Sequence, residues 1–287
     1  MIAMKTHSMK RRKVTLNVVY HVLVTAASIG MLYPLIWMIS SSFKPNAEIF
    51  DTVGQLIPET LTLENYVNGW RGFAGLSFSV YFKNSLIIAG LSTIGAAFSA
   101  AVVAFGLARL HFPGRNFWFV TMIITMMLPS QVMMIPRFVL FNSIGWVGSY
   151  LPLVVPAFFG SAFDIFLVMQ FIRGIPRDMD EAATIDGCSW YGIFWRIMLP
   201  MIVPAVVTVG ILTFIGAWGD FMGSLLYLNA PQTYTVAYAL KLFSDSAGTD
   251  FGATFAMSVL SLVPILIIFF FFQRQLVEGI SIQGLKG

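Results

Sequence analysis

Apolar residues in this chain gather into long runs separated by short polar stretches, without the strict alternation of an exposed strand. Runs of about 20 apolar residues are long enough to cross a bilayer as helices. Six are read, over 17–40, 82–108, 117–141, 150–172, 199–222 and 252–272. Together with their connections they take up nearly the whole of 1–287, which predicts an all-α membrane protein with a single transmembrane domain. No low-complexity linker and no internal repeat interrupts the pattern, which argues against an inverted-repeat carrier.

Inside the runs, small residues and prolines predict how the helices pack. Ala96, Ala100, Ala104 and Ala108 recur every fourth residue on one face of the second run. Small side chains let helix backbones approach closely, so this face is expected to pack on another helix rather than on lipid. Gly219 and Gly223 make a weaker pair of the same kind at the end of the fifth run. Pro34, Pro129, Pro136 and Pro264 each remove a backbone hydrogen bond, predicting bends or breaks in runs one, three and six. At membrane depth such breaks persist where protein or a water-filled cavity supplies partners, which suggests a curved pathway wall.

Composition agrees with the pattern. The chain is 57% hydrophobic and 10% charged, with a mean hydropathy of +0.81, whereas about a quarter of a soluble domain is charged. Lys5, Lys10, Arg11, Arg12 and Lys13 precede the first run. Arg109 and Arg115 separate runs two and three, Arg173, Arg177 and Arg196 separate four and five, and Arg274 and Lys286 follow six. The opposite side holds Lys44, Arg71, Lys83 and Lys241. The positive-inside rule therefore puts both termini of a multi-pass membrane protein in the cytoplasm. The pI of 9.2 reflects this topology rather than nucleic-acid binding. The basic start followed by an apolar run resembles a signal peptide, but the run is longer than a typical h-region and predicts an uncleaved first helix.

Several chemistries lack their residues. There is no G-x-x-x-x-G-K-[ST] phosphate loop, no H-E-x-x-H pair and no G-x-S-x-G elbow. His7, His21 and His111 are scattered, so no metal site is expected, and Cys188 is the sole cysteine. Active transport by this chain would draw its energy from another subunit or from an ion gradient. The outer stretches 45–80 and 223–251 read as docking surfaces for an extracytoplasmic partner or as plain loops.

The polar island between runs four and five, residues 173–200, carries the sharpest signal. Pro176 is suited to open a helix, and Asp178, Asp180 and Glu181 place negative charge at its positive dipole end. Gly187 is a natural left-handed stop, and Ser189 can cap a second short helix. Trp190, Tyr191, Ile193, Phe194 and Ile197 would anchor that helix at the membrane interface. The pair of helices would present Glu181, Ala182 and Ala183 to the cytoplasm, the alanines allowing close contact with a partner and the carboxylate offering a charged anchor.

The spaced series Glu181-Ala182-Ala183, Gly187, Ile197-x-Leu199-Pro200 resembles the EAA loop of importer-type ABC permeases. Around it, Phe166-Leu167, Gln170-Phe171, Ile175-Pro176, Ile185-Asp186-Gly187, Thr233-Tyr234-Thr235, Gln273-Arg274, Gly279, Gly284 and Lys286-Gly287 are similar to the carbohydrate-type, maltose-type permeases. The resemblance implies a type I importer permease fold with cytoplasmic coupling helices. It also implies a complex with a second, sister permease, an ABC ATPase dimer and an extracytoplasmic solute-binding protein. Glu181, Ala182, Ala183, Asp186 and Gly187 would couple to the ATPase. ATP–Mg would be bound by that partner, with no cofactor in this chain and no catalytic role. Relatives commonly carry Trp-Asn-Glu/Asp-Phe where this chain reads Trp218-Gly219-Asp220-Phe221.

Arg137 and Asp164 fall inside apolar runs, where an isolated charge is expensive. With Asp220 they are the candidate pathway residues. A structural Arg137–Asp164 pair, or an arginine reaching to the interface, is the alternative reading. Two other functions stay open: an ABC permease for a peptide or polyamine, and a gradient-driven carrier or channel.

Overall fold

The computed structural model describes residues 2–73, 75–246 and 250–281, so Gly284, Lys286 and Gly287 of the closing segment lie outside the described residues. Among the described residues the regular secondary structure is helical, apart from one isolated bridge between Phe73 and Leu76, and turns and irregular segments join the helices. They group into two compact units, Met1–Gly69 with Ala247–Leu260, and Trp70–Ser246 with Ser261–Gly287.

The first unit is built on α1 (Ile2–Ser41), α2 (Glu48–Asp51), most of α3 (Glu64–Arg71) and the opening turns of a late helix. The lipid-length part of α1, Leu16–Ser41, has no buried residue in its most apolar stretch. Its C-terminal end is tied down by polar contacts instead. Lys44 is fully buried, and its ammonium donates to the Thr52 carbonyl (2.9 Å), the Thr52 hydroxyl (2.9 Å) and the Gln55 carbonyl (2.7 Å). All three ammonium protons are thereby satisfied. Asn65 Nδ2 donates to the carbonyls of Ser42 (2.9 Å) and Lys44 (2.8 Å), fixing α3 to the same turn. The stretch after residue 45 is therefore folded structure rather than loose loop.

The second unit is organised around α4 (Phe78–Arg109). Ala96, Ala100, Ala104 and Ala108 are all buried, and α4 packs along α11 (Leu199–Trp218) and α8 (Ala162–Arg173). The alanine stripe is a helix-packing face, as its spacing predicts. Ser92 and Ser99 on α4 donate to the carbonyls of Leu153 (3.2 Å) and Ala157 (2.9 Å). Those carbonyls belong to α7 (Leu151–Val154) and the 3-10 turn Val155–Phe159, where Pro156 supplies no N–H. Gly160, at φ +88, ends that turn and Ser161 opens α8. The fourth run is thus two helical pieces within one span, Leu151–Arg173.

Two runs depart from their expected form. Run three is broken into α5 (Arg115–Met126) and α6 (Ser130–Ser143), bent by 105°. The break falls just before Pro129, the N-cap of α6. Leu128 is held out of helical geometry by that proline. Pro34, Pro136 and Pro264, in contrast, stay inside continuous helices. Among the described residues, five helices are long and apolar enough to span a membrane, and there are six if the bent pair is a single broken span.

Run five runs from Trp190 to Trp218 instead of 199–222. A π turn over Phe194–Met198 joins α10 (Trp190–Ile193) to α11 without a break, and Pro200, which has no N–H, follows two residues after that turn inside the continuous helix. The run ends early because Gly219 caps α11 and Asp220 starts α12 (Phe221–Tyr227). Gly219 and Gly223 therefore lie beyond the span, not on a packing face within it. A 3-10 turn, Pro231–Thr233, leads to α13 (Val236–Ser246), and α14 (Phe251–Ser281) closes the described chain.

Candidate functional site

The polar island folds into α9 (Asp178–Ile185) followed by α10. The first acceptor of α9 is the Arg177 carbonyl, which takes the N–H groups of Asp180 (2.9 Å) and Glu181 (3.1 Å), so Pro176 precedes the helix rather than opening it. At the other end, Gly187 has φ +80. Its N–H reaches the Thr184 carbonyl (3.0 Å), while the Cys188 N–H reaches that of Ala183 (2.9 Å). This is a Schellman stop, in which a left-handed glycine satisfies the last carbonyls. Cys188 packs with the cluster containing Ala183, which is the apolar contact such a stop normally carries. Ser189 then caps α10 by accepting from the Gly192 N–H (3.3 Å).

The two faces of α9 differ sharply. Glu181, Ala182, Asp186 and Gly187 are exposed. Asp180 and Ala183, three residues apart and hence on one face, are 5% and 6% exposed. The expectation that Ala183 would be presented outward is corrected, since it belongs to the core around α4. Ile193 and Phe194 also turn into that core rather than lying flat at an interface, while Tyr191 and Trp195 stay exposed. A depression of about 390 Å³ borders Asp180, Glu181, Thr184, Ile185 and Trp190.

Beneath α9 lies a feature that the sequence did not announce. Arg109, the last residue of α4, is 6% exposed and its Nε stands 2.9 Å from Asp180 Oδ2. The same guanidinium donates through Nη2 to the Ile175 carbonyl at 2.7 Å. A cation at a helix C-terminus is favoured by the dipole, and the carboxylate neutralises it where water is excluded.

The candidate pathway residues separate. Arg137 on α6 and Asp220 at the start of α12 both border a cavity of about 860 Å³, together with Ser130, Gln131, Trp146 and Tyr227. Arg137 is exposed, and among the described residues it forms no ion pair. Asp220 Oδ1 accepts from the Gly223 N–H (2.8 Å), so part of its carboxylate is occupied as the α12 cap. Tyr227 lies past the fifth span. Burial raises its hydroxyl above the ordinary value of 10.0, the charge of Arg137 opposes that rise, and Asp220 adds to it. It is therefore a neutral hydrogen-bonding group at ordinary pH.

Asp164 does not border this cavity and does not pair with Arg137. It is buried in the first turn of α8, which Ser161 opens. A carboxylate there suits the positive helix end. The Arg137–Asp164 pair is thus set aside, because the break at Gly160 puts Asp164 at a helix start that the apolar run hides.

The Thr233-Tyr234-Thr235 segment is a joint. Asn84 Nδ2 on α4 donates to the carbonyls of Gln232 (2.8 Å) and Tyr234 (2.9 Å), and the Val236 N–H donates to Ser85 Oγ (2.8 Å). The hydroxyls of Ser224 and Thr235 meet at 2.7 Å. The stretch before α13 is thus laced to the start of α4.

Together these features describe a polytopic membrane protein with an exposed helical hairpin and a largely apolar cavity bordered by a few polar side chains, the class to which transport permeases belong. Residues 92–282 match the family described as binding-protein-dependent transport system inner membrane component, and the chain belongs to that family. It is 35% identical over 260 residues to the probable ABC transporter permease protein YurM of Bacillus subtilis, covering 90% of this chain and 85% of the relative. It is 32% identical to the arabinooligosaccharides transport system permease protein AraQ of the same organism, covering 91% and 92%. It is also 32% identical to the trehalose transport system permease protein SugB of Mycobacterium tuberculosis, covering 89% and 93%. A crystal structure of a bacterial ABC transporter involved in import of the acidic polysaccharide alginate contains a chain with the same fold. That chain is 22% identical with a TM-score of 0.78, covering 90% of this chain and 95% of its own length. The protein is a membrane subunit of a transport system and not itself an enzyme.

Proposed function

We propose that this chain is one permease subunit of an ATP-driven, binding-protein-dependent importer of sugars or oligosaccharides. It forms half of the translocation pathway as a single permease domain, with both termini cytoplasmic. A sister permease supplies the other half, an ABC ATPase dimer binds ATP–Mg, and an extracytoplasmic solute-binding protein delivers the substrate. Relatives whose names state a substrate handle arabinooligosaccharides and trehalose, and this supports a carbohydrate over a peptide or polyamine.

The observation that carries the reading is α9: Glu181 and Ala182 are exposed on a helix whose opposite face is locked into the core. The exposed face, with Asp186 and the stop at Gly187, is the surface offered to the ATPase. The cavity beside Arg137, Asp220 and Tyr227 is the pathway wall of this subunit, its apolar and aromatic lining with a few polar groups suited to a hydroxylated ligand. The test is co-purification of the assembled complex in detergent. The ATPase should follow the wild-type chain and be lost with Glu181→Lys combined with Gly187→Val. Equal ATPase recovery from both would overturn the docking role of α9.

A further inference from the structure

Coupling needs a mechanical link as well as a docking surface. A helix of eight residues held only by its flanking loops would tilt under a partner without moving the spans. Here α9 is fastened to the end of the helix around which the second unit is organised. Arg109 closes α4, Asp180 lies on the inward face of α9, and their side chains meet at 2.9 Å with both residues nearly excluded from solvent. Arg109 also grips the Ile175 carbonyl (2.7 Å), which lies in the connection from α8 to α9. One guanidinium therefore joins the end of α4, the end of the α8 segment and α9. The planar fork of arginine suits this joint, because its donors are fixed relative to one another.

We infer that the Arg109–Asp180 pair is the strut that passes movement of α9 to α4, making Arg109 and Asp180 positioning residues for coupling. The inference rests on the reading of α9 as the ATPase-docking helix. Movement of α9 shifts Asp180, Asp180 carries Arg109, and α4 then moves along α8 and α11 through its small-residue face. The exposed residues Glu181 and Ala182 bind the partner; the buried pair transmits. Packing alone would hold α9 in place without needing two charges removed from water, which is a costly way to stabilise a fold.

The experiment uses the full complex of both permeases, ATPase and binding protein in proteoliposomes, with maltodextrin and arabinooligosaccharide mixtures as probes. Two variants are compared, Asp180→Asn and the apolar double Arg109→Met with Asp180→Leu, the second removing both charges so that no buried ion is stranded. Assembly is read by co-purification, and coupling by the binding-protein-stimulated ATPase rate and by uptake per ATP hydrolysed. The expected result for the double variant is an ATPase recovered at the wild-type level, with uptake per ATP at least tenfold lower. Asp180→Asn should show the same split wherever it assembles.

Uptake within twofold of wild type in the assembled double variant would overturn the strut. So would failure of both variants to assemble, which would assign the pair to folding alone. The docking reading fails separately, if Glu181→Lys with Gly187→Val keeps its ATPase.

Discussion

Arg109 and Arg137 are the same residue type in opposite circumstances. Arg109 is buried, ion-paired and hydrogen-bonded to a backbone carbonyl. Arg137 is exposed beside a cavity of about 860 Å³ and has no ion-pair partner among the described residues. The difference is one of work. A buried cation closed off from solvent beside its counter-ion can hold two elements together but is out of reach of a ligand. A cation open to a cavity can meet a ligand but contributes little to holding the fold. Charge is therefore held fast where α9 is anchored and available where the cavity opens.

The largest effect should come from stranding one half of the buried pair. Arg109→Leu leaves Asp180 without a counter-ion in a water-poor site, and breaking such a pair from one side costs about 3–5 kcal/mol. Thermal unfolding of the detergent-solubilised complex should fall accordingly, whereas Arg109→Met with Asp180→Leu should recover most of the loss. If the single variant melts like wild type, the pair carries no structural weight and the contrast with Arg137 collapses.

Gly187 comes next. Its φ of +80 is strained for a residue with a Cβ, yet nothing lies within 4 Å of where that Cβ would sit. The penalty is therefore purely conformational, about 1–2 kcal/mol for an ordinary residue. Asparagine, which tolerates the left-handed region, should retain more ATPase co-purification than alanine, and alanine more than valine. An equal loss for all three would mean that the partner contacts the glycine itself rather than needing the turn.

Arg137→Gln should leave unfolding within about 0.5 kcal/mol of wild type, as for other exposed positions. Its effect should appear in transport, with uptake of acidic oligosaccharides falling relative to neutral ones. Identical kinetics for both classes would remove Arg137 from the pathway.

These contrasts show why parts of the molecule were legible in the sequence and others were not. The apolar runs, the alanine stripe, the left-handed stop at Gly187 and the cap at Ser189 depend on residues close together in the chain, so spacing alone revealed them. The Arg109–Asp180 ion pair joins residues far apart in sequence. Arg109 looked like one more basic residue marking the cytoplasmic side, and Asp180 like dipole-favouring charge at a helix start. Asp164 and Arg137 both appeared as charges inside apolar runs. Only the break at Gly160 and the bend before Pro129 assign the first to a helix end and the second to a cavity. The Thr233–Thr235 segment, read as a hint of substrate class, is held to α4 through Asn84 and Ser85 and to Ser224 through the Thr235 hydroxyl. Its residues are thus accounted for structurally without a ligand.

Asp220 is the intermediate case, because it borders the cavity and also caps α12 through the Gly223 N–H (2.8 Å). Removing a cap with alanine costs about 1 kcal/mol, while serine or asparagine preserves most of it. Asp220→Asn therefore keeps the cap and deletes the charge, and Asp220→Ala deletes both. If the charge serves the pathway, uptake should fall similarly in the two variants while only the alanine variant melts earlier. If uptake instead tracks melting, with asparagine indistinguishable from wild type, Asp220 belongs with Arg109 among the charges that build the protein rather than with Arg137.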